Sequence, residues 1–399
     1  ESADFRATVN STTGEMTMNG VVPQVVFMGY NVRNLKLDLS TDSQALNYSV
    51  NLDNAGSAGL QLNRTSLTGK IKDNELGIVL NVQDIDNKDR YRLLGTLSVD
   101  GPQYRFRFAP EGLLLNYDSW TVSPENSLEF GPDGLLATDF TLSRQGQELS
   151  LISEPQSLNA PLSISLTNFR IETLTAIVQK DSLLAGGLIN GSATVRNLAT
   201  NPVFNADLRV AGFTFMADTV GDIELQVNNQ TEDTFTARAS ITGNGNDIRL
   251  DGFYYTPPRN RNSFDLDLDI RTLNLASVEG FTMGSLKQAS GTLAGTLRIT
   301  GTPAAPAVRG DLLFSDAAFN VAMLNAFYRL DDQRITFTSR GIELNDFTLN
   351  DSVGNEAVID GTIYTTNYLD YRFGLDVTTE NFKALSSTAR DNDLFYGTV

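Results

Sequence analysis

Apolar and polar residues alternate with a period of two along most of this chain. In "SFDLDLDI", Phe264, Leu266, Leu268 and Ile270 share one face and Asp265, Asp267 and Asp269 the other. "NLKLDLS" repeats the arrangement with Leu35, Leu37 and Leu39, and "ALNYSVNLD" with Leu46, Tyr48, Val50 and Leu52. Strict alternation predicts strands with one apolar and one wet face. It recurs from Phe5 to Val377, punctuated by turn chemistry such as "DNAGSAG", "GNGND", "PPRNRN" and "DSVGNE". Helical spacing is rare. Ile171, Leu174, Ile177 and Val178 predict one short helix that stops at Gly186-Gly187, and Leu275 and Val278 a turn or two more. The fold class predicted is all-β, with one or two short helices.

The pattern also repeats at long range. "GTPAAPAVRGDL" (301–312) has a counterpart 104 residues earlier in "NLATNPVFNADL". Gly191 precedes Pro202 by eleven residues, as Gly295 precedes Pro306, and Asp207 and Asp311 follow their prolines by five. Proline lacks the ladder N–H, so each segment reads as a connector between strands. A further start is visible at "LDVTTENFKAL" (375–385). The expected organisation is a β-rich segment over 1–160 without a clear motif, repeat 1 over 161–264, repeat 2 over 265–370 and a truncated third repeat over 371–399.

About 30 strands follow from ordinary strand and turn lengths. Stacked ~4.8 Å apart they give a sheet on the order of 150 Å long. Its apolar face must be covered by folding over, by curling into a β-helix, or by lining a trough that stays partly open. The reading favoured is an elongated, folded-over sheet with an apolar interior, lined by Leu35, Leu37, Leu39, Phe264, Leu266, Leu268 and Ile270. The alternative at each of these positions is a dry, closed core.

Composition narrows the chemistry. The 399 residues carry a net charge of −18, which disfavours phosphate backbones and anionic membrane surfaces as partners. Cysteine and histidine are both absent, removing thiolate zinc sites, disulfides and the commonest general base. Among 48 Asp and Glu residues, carboxylate pairs of the glycosidase kind arise by chance. "DLDLD" reads better as the wet face of a strand than as a calcium site, and Trp120 better as sheet packing than as a sugar platform. No enzyme activity, cofactor or metal is expected. No stretch reaches the length of a membrane-spanning helix. The chain starts at Glu1 and ends at "LFYGTV", which reads as a piece of a longer protein.

The run "LDIRTLNLASVEGF…GSLKQASGTLAGTLRITGTPAAPAVRGDLLFSDAAFNV" resembles the C-terminal region of the TamB family, in the wider AsmA-like group of bridge-like lipid-transfer proteins. "ITFTSRGIELNDFTLNDSVGNEAVIDGTIYTTNYLDYRFGLDVTTENFKAL" and "DNDLFYGTV" extend the likeness, most specific over 263–399, with a Bacteroidetes flavour in the last stretch. The resemblance implies a periplasmic β-taco, anchored in the inner membrane of a Gram-negative bacterium by a segment outside this chain. It implies phospholipid acyl chains as cargo between the two membranes. It equally implies assembly or secretion of outer-membrane barrel proteins, as a strand chaperone beside a TamA/BamA-type barrel. It brings no catalytic residues. Small-angle scattering checks the single-file sheet: a compact globule of this length has a radius of gyration near ~21 Å, whereas a rod on the order of 150 Å long exceeds ~40 Å.

Overall fold

The structure, a computed structural model, describes residues 2–27, 30–42, 44–56, 61–178, 184–198, 202–231, 233–256, 263–390 and 396–399. The turn read at 257–262 lies outside them, as do 179–183 beyond the first helix, 199–201 of the first proline connector and 391–395. The chain is all-β. Among the described residues every printed pairing is antiparallel, and no helix is long and apolar enough to cross a membrane. Two compact units divide it, Glu1–Leu184 with Leu188–Phe204, and Asn205–Val399 with Ala185–Gly187.

The first unit holds β1 (Asp4–Val9), β2 (Met16–Phe27), β3 (Tyr30–Thr41), β4 (Leu46–Gly56), β5 (Gln61–Lys72), β6 (Glu75–Gln83), β7 (Asp89–Asp100), β8 (Gln103–Leu115), β9 (Asp118–Val122), β10 (Ser127–Gly131), β11 (Gly134–Thr138), β12 (Phe140–Arg144), β13 (Gln147–Ser153), β14 (Leu162–Arg170), α1 (Ile171–Val178) and most of β15 (Ala185–Arg196). From β1 to β8 each strand pairs with the next. The ladder then divides. One half of β8 pairs with β10 through Phe106↔Leu128, the other with β9 through Leu113↔Trp120.

The division needs a bulge. Gly95 faces Phe108 but Leu93 faces Leu113, so the four residues 109–112 of β8 stand against Leu94 alone, three more than the ladder needs. Asn126, 1% exposed, serves the backbone there. Its Oδ1 accepts from the Phe108 N–H at 2.8 Å, and its Nδ2 donates to the Phe108 carbonyl at 3.0 Å and the Ser123 carbonyl at 2.6 Å. The core of the unit sits beside this junction: Leu113, Trp120, Val122, Phe140, Leu142 and Phe169. Trp120, 3% exposed, packs against Phe169 with ring centroids 5.7 Å apart, which makes it a packing residue.

The second unit continues with β16 (Val203–Phe215), β17 (Asp218–Thr231), β18 (Thr234–Gly243), β19 (Asn246–Tyr255), β20 (Ser263–Asn274), the 3₁₀ helix η1 (Leu275–Thr282), β21 (Leu286–Thr302), β22 (Ala305–Val321), β23 (Ala326–Leu330), β24 (Gln333–Thr338), β25 (Gly341–Asn350), β26 (Glu356–Tyr364), β27 (Arg372–Thr379), β28 (Ser386–Ser387) and β29 (Gly397–Thr398). Here β22 divides its partners, with Phe319↔Tyr328 in β23 and Leu312↔Ile335 in β24. The core gathers Ile270, Leu293, Leu312, Leu330, Leu344 and Phe347 among others.

The 104-residue offset of the sequence reappears in the elements. Both short helices span eight residues, 171–178 and 275–282, and each follows its strand directly. The register slips at matching places: Leu166↔Gly191 then Phe169↔Ile189, and Ile270↔Gly295 then Leu273↔Leu293. Slips of the same form occur at Val210/Phe213 and Leu344/Phe347. Residues three apart on a strand ordinarily point to opposite faces. One extra residue returns both to the same face. In three of the four slips a side chain on the facing strand satisfies the bulged N–H at 2.8 Å: Asn190 for Asn168, Asp222 for Gly212 and Asp360 for Asp346.

One reading of the sequence changes, and the proline connector takes a definite form. Gly186-Gly187 lie inside β15 and do not end a helix, and α1 ends at Val178. Strand chemistry prevails there because Gly187 sits against β16, where a Cβ would approach Val210 Cγ1 to 2.9 Å. The segment "GTPAAPAVRGDL" is a tight hairpin: Thr302 faces Ala305 across the turn residues Pro303 and Ala304, and Pro306 lies within β22 opposite Gly301. No helix follows β27 at 380–390 as one follows β14 and β20.

Asp351 fixes the C-terminal end of the second unit. It is 1% exposed, and burial opposes its ionisation. Hydrogen bonds from the Lys383, Asn355 and Val353 backbone N–H groups and from Asn355 Nδ2, at 2.9–3.0 Å, outweigh that and hold the carboxyl well below the usual carboxylate range.

The junction in the first unit yields a stability prediction. Asn126→Ala leaves the half-buried backbone of Phe108 without these partners and should cost on the order of 1–3 kcal/mol. Urea unfolding followed by Trp120 fluorescence reads the loss. A change within error of zero would mean that water replaces the amide.

Candidate functional site

The apolar face of the first unit is only partly covered. Leu37 faces Val50, which faces Leu67, which faces Leu80. Beside that row, Leu39 faces Tyr48 and Tyr48 faces Gly69, and Leu46 faces Ile71 and Ile71 faces Leu76. Leu37, Leu39, Leu46, Tyr48, Val50, Leu67, Ile71, Leu76 and Ile78 surround a concavity of about 300 Å³. All nine are apolar or aromatic, and Ile71 remains 42% exposed. The residues between them on β3, Lys36 and Asp38, are exposed on the other face.

Its floor is shaped by a gap in the ladder. Between β5 and β6, Thr68 pairs with Val79 and Ile71 with Leu76, but Gly69 and Lys70 make no pair. The Tyr48 hydroxyl donates to the Gly77 carbonyl there, at 2.8 Å. Partial burial pushes the Tyr48 phenol up, so it stays protonated and a donor. A Cβ on Gly69 would collide with that carbonyl oxygen and meet the hydroxyl, so the absence of a side chain lets the ring lie across the strand.

A second concavity of about 780 Å³ adjoins the first and shares Tyr48 and Ile78 with it. It lies along the cross-strand line Gly69, Ile78, Gly95 and Phe108 and the residues flanking each. Lys70 and Arg107 are its charged members. Neither has an ion-pair partner within 4.0 Å among the described residues.

The seven residues expected to line a trough divide between two settings. Leu37 and Leu39 line the open concavity, and Leu35 is half-buried on their face. Ile270 is 6% exposed within the core of the second unit, and Leu268 packs against that core. Phe264 and Leu266 are half-buried on the same strand face. Opposite them, the aspartates of "DLDLD" are paired: Arg298 reaches Asp265 at 2.9 Å and Asp267 at 4.0 Å, and Arg271 reaches Asp269 at 3.5 Å. Such exposed pairs contribute at most about 1 kcal/mol each. Among the described residues no group of three or more acidic side chains is placed to hold a metal.

Sequence reading missed Leu67, Ile71, Leu76 and Ile78. Their alternation is legible in "SLTGKIKDNELGIVL", but which strand faces which concavity depends on register. Tyr48 was visible only as an alternating apolar residue. Searches against protein-family models, curated proteins and solved structures return no match to this chain.

The two settings predict different costs for the same chemistry. Leu268→Asp buries a carboxylate against a packed core and should cost on the order of 3 kcal/mol or more. Leu39→Asp borders an open concavity and should cost about 1 kcal/mol. Thermal unfolding of the two variants checks the contrast, and equal losses would show that the concavity at Leu39 is closed.

Proposed function

We propose that this protein is a non-catalytic carrier whose apolar face holds phospholipid acyl chains between the inner and outer membranes of a Gram-negative envelope. The observation that carries the reading is the open concavity over β3 to β6, lined by nine apolar or aromatic residues. Each methylene buried there gains about 0.8 kcal/mol. The neighbouring concavity, with Lys70 and Arg107, extends the space across β5 to β8. The resemblance of residues 263–399 to the TamB family supports the compartment, the anchor outside this chain and a barrel partner in the outer membrane. A second reading, a strand chaperone for barrel or secreted proteins, is supported by β27, where Phe373 is 71% and Val377 56% exposed.

Photo-crosslinking tests the carrier. A benzophenone side chain at Leu39, with Lys36 and Asp38 as outward-facing controls, is expressed in the periplasm, irradiated and analysed by mass spectrometry. Lipid adducts at Leu39 alone are the expected result. Adducts at none of the three would remove the carrier reading for this unit, and protein adducts in their place would favour the strand chaperone.

A further inference from the structure

The two concavities of the first unit run into each other. Tyr48 and Ile78 line both, and the lining as a whole draws on every strand from β3 to β8. The shared space therefore extends across the strands. Gly69 and Gly95 keep it low in the middle. Their neighbours on the same face are Leu67 and Ile71 in β5 and Leu93 and Leu97 in β7, whereas the two glycines offer bare backbone. The Tyr48 ring lies across β5 at Gly69, held by its hydroxyl on the Gly77 carbonyl.

Aromatic rings stop the space at both ends. Past β3 the face continues into Gly20 of β2, which pairs with Leu37. The Phe5 ring covers that position, where a Cβ on Gly20 would approach Phe5 Cδ1 to 2.5 Å. At β8, the Phe108 ring packs against Phe106 and Phe140, with centroids 4.9 Å and 5.4 Å away, beside the core of the unit. Between these stops, the five strand spacings from β3 to β8 span about 24 Å. An extended hydrocarbon advances ~1.3 Å per carbon, from its ~1.5 Å bonds, so that span matches about 18 carbons. The three spacings from β3 to β6, or from β5 to β8, span only about 14 Å, or about 11 carbons.

We propose that the two concavities are one slot for a single acyl chain laid across β3 to β8, with a length that selects chains of about 16–18 carbons. Tyr48 and Ile78 form the passage between its halves. The inference rests on the carrier reading and adds the chain length of the cargo. A shorter chain leaves part of the slot uncovered, and each added methylene gains by covering it. A longer chain meets Phe5 or Phe108 and must turn its end out into water, so the gain stops there.

Displacement of a fluorescent fatty acid from the full chain by saturated fatty acids, each below its critical micelle concentration, tests this. Over a series from about 10 to about 22 carbons, affinity should rise about tenfold for every two carbons, then level at about 18. Tyr48→Trp and Ile78→Trp fill the passage. In each, the levelling should move to about 11 carbons while shorter chains bind as before. Far-ultraviolet circular dichroism verifies the fold of each variant, and the profile of the unaltered chain tests the slot even if neither folds. Affinity that still rises beyond about 20 carbons, or that levels near about 11 in the unaltered chain, overturns the slot and leaves the carrier standing. A folded tryptophan variant that levels where the unaltered chain does has the same meaning. Displacement by no chain of any length overturns both.

Discussion

The backbone of this protein finds its hydrogen bonds almost wholly in antiparallel ladders, and that ties each side chain to one of two faces. With a period of two, a single residue too many on one strand sends every later apolar side chain into water. The bulges at Leu166/Phe169, Val210/Phe213, Ile270/Leu273 and Leu344/Phe347 absorb such residues and restore the apolar row. Asn190, Asp222 and Asp360 make three of them tolerable by accepting from the amide that the ladder leaves unpaired. Core formation in both units depends on these corrections.

Where the face is covered, it is covered by the protein itself. Division of β8 and of β22 into two pairing halves supplies the extra strands that enclose Phe169 and Leu330. Over β3 to β6 there is no such division. Leu37, Leu39 and their neighbours stay half-buried around an open space, although their alternation is as regular as that of Leu268 and Ile270. Burial in this fold therefore follows the branching of the ladder more than the composition of any one strand.

That explains how much the sequence discloses. Alternation at Leu35–Leu39 and Phe264–Ile270 is a local property, so the strands and their apolar faces were legible, and so was the 104-residue offset between the two short helices. The difference between Leu39 at an open concavity and Ile270 in a core was not legible, because it depends on pairings between residues far apart in the chain. Gly186-Gly187 show the same limit. Two glycines after a helical run are a sound local stop signal, yet both lie within β15, where the close approach of β16 leaves little room for a side chain at Gly187.

The matched bulges also bear on how such a chain changes length over generations. Recombination that joins residue 166 to residue 271 removes 104 residues but recreates the same junction, with an apolar residue opposite a glycine and the slip intact. Loss or gain of a whole unit by unequal crossing-over thus preserves which side chains face inward, whereas insertion of a single codon does not. Chain length in this architecture can therefore change by whole 104-residue repeats while the reading of each strand stays fixed.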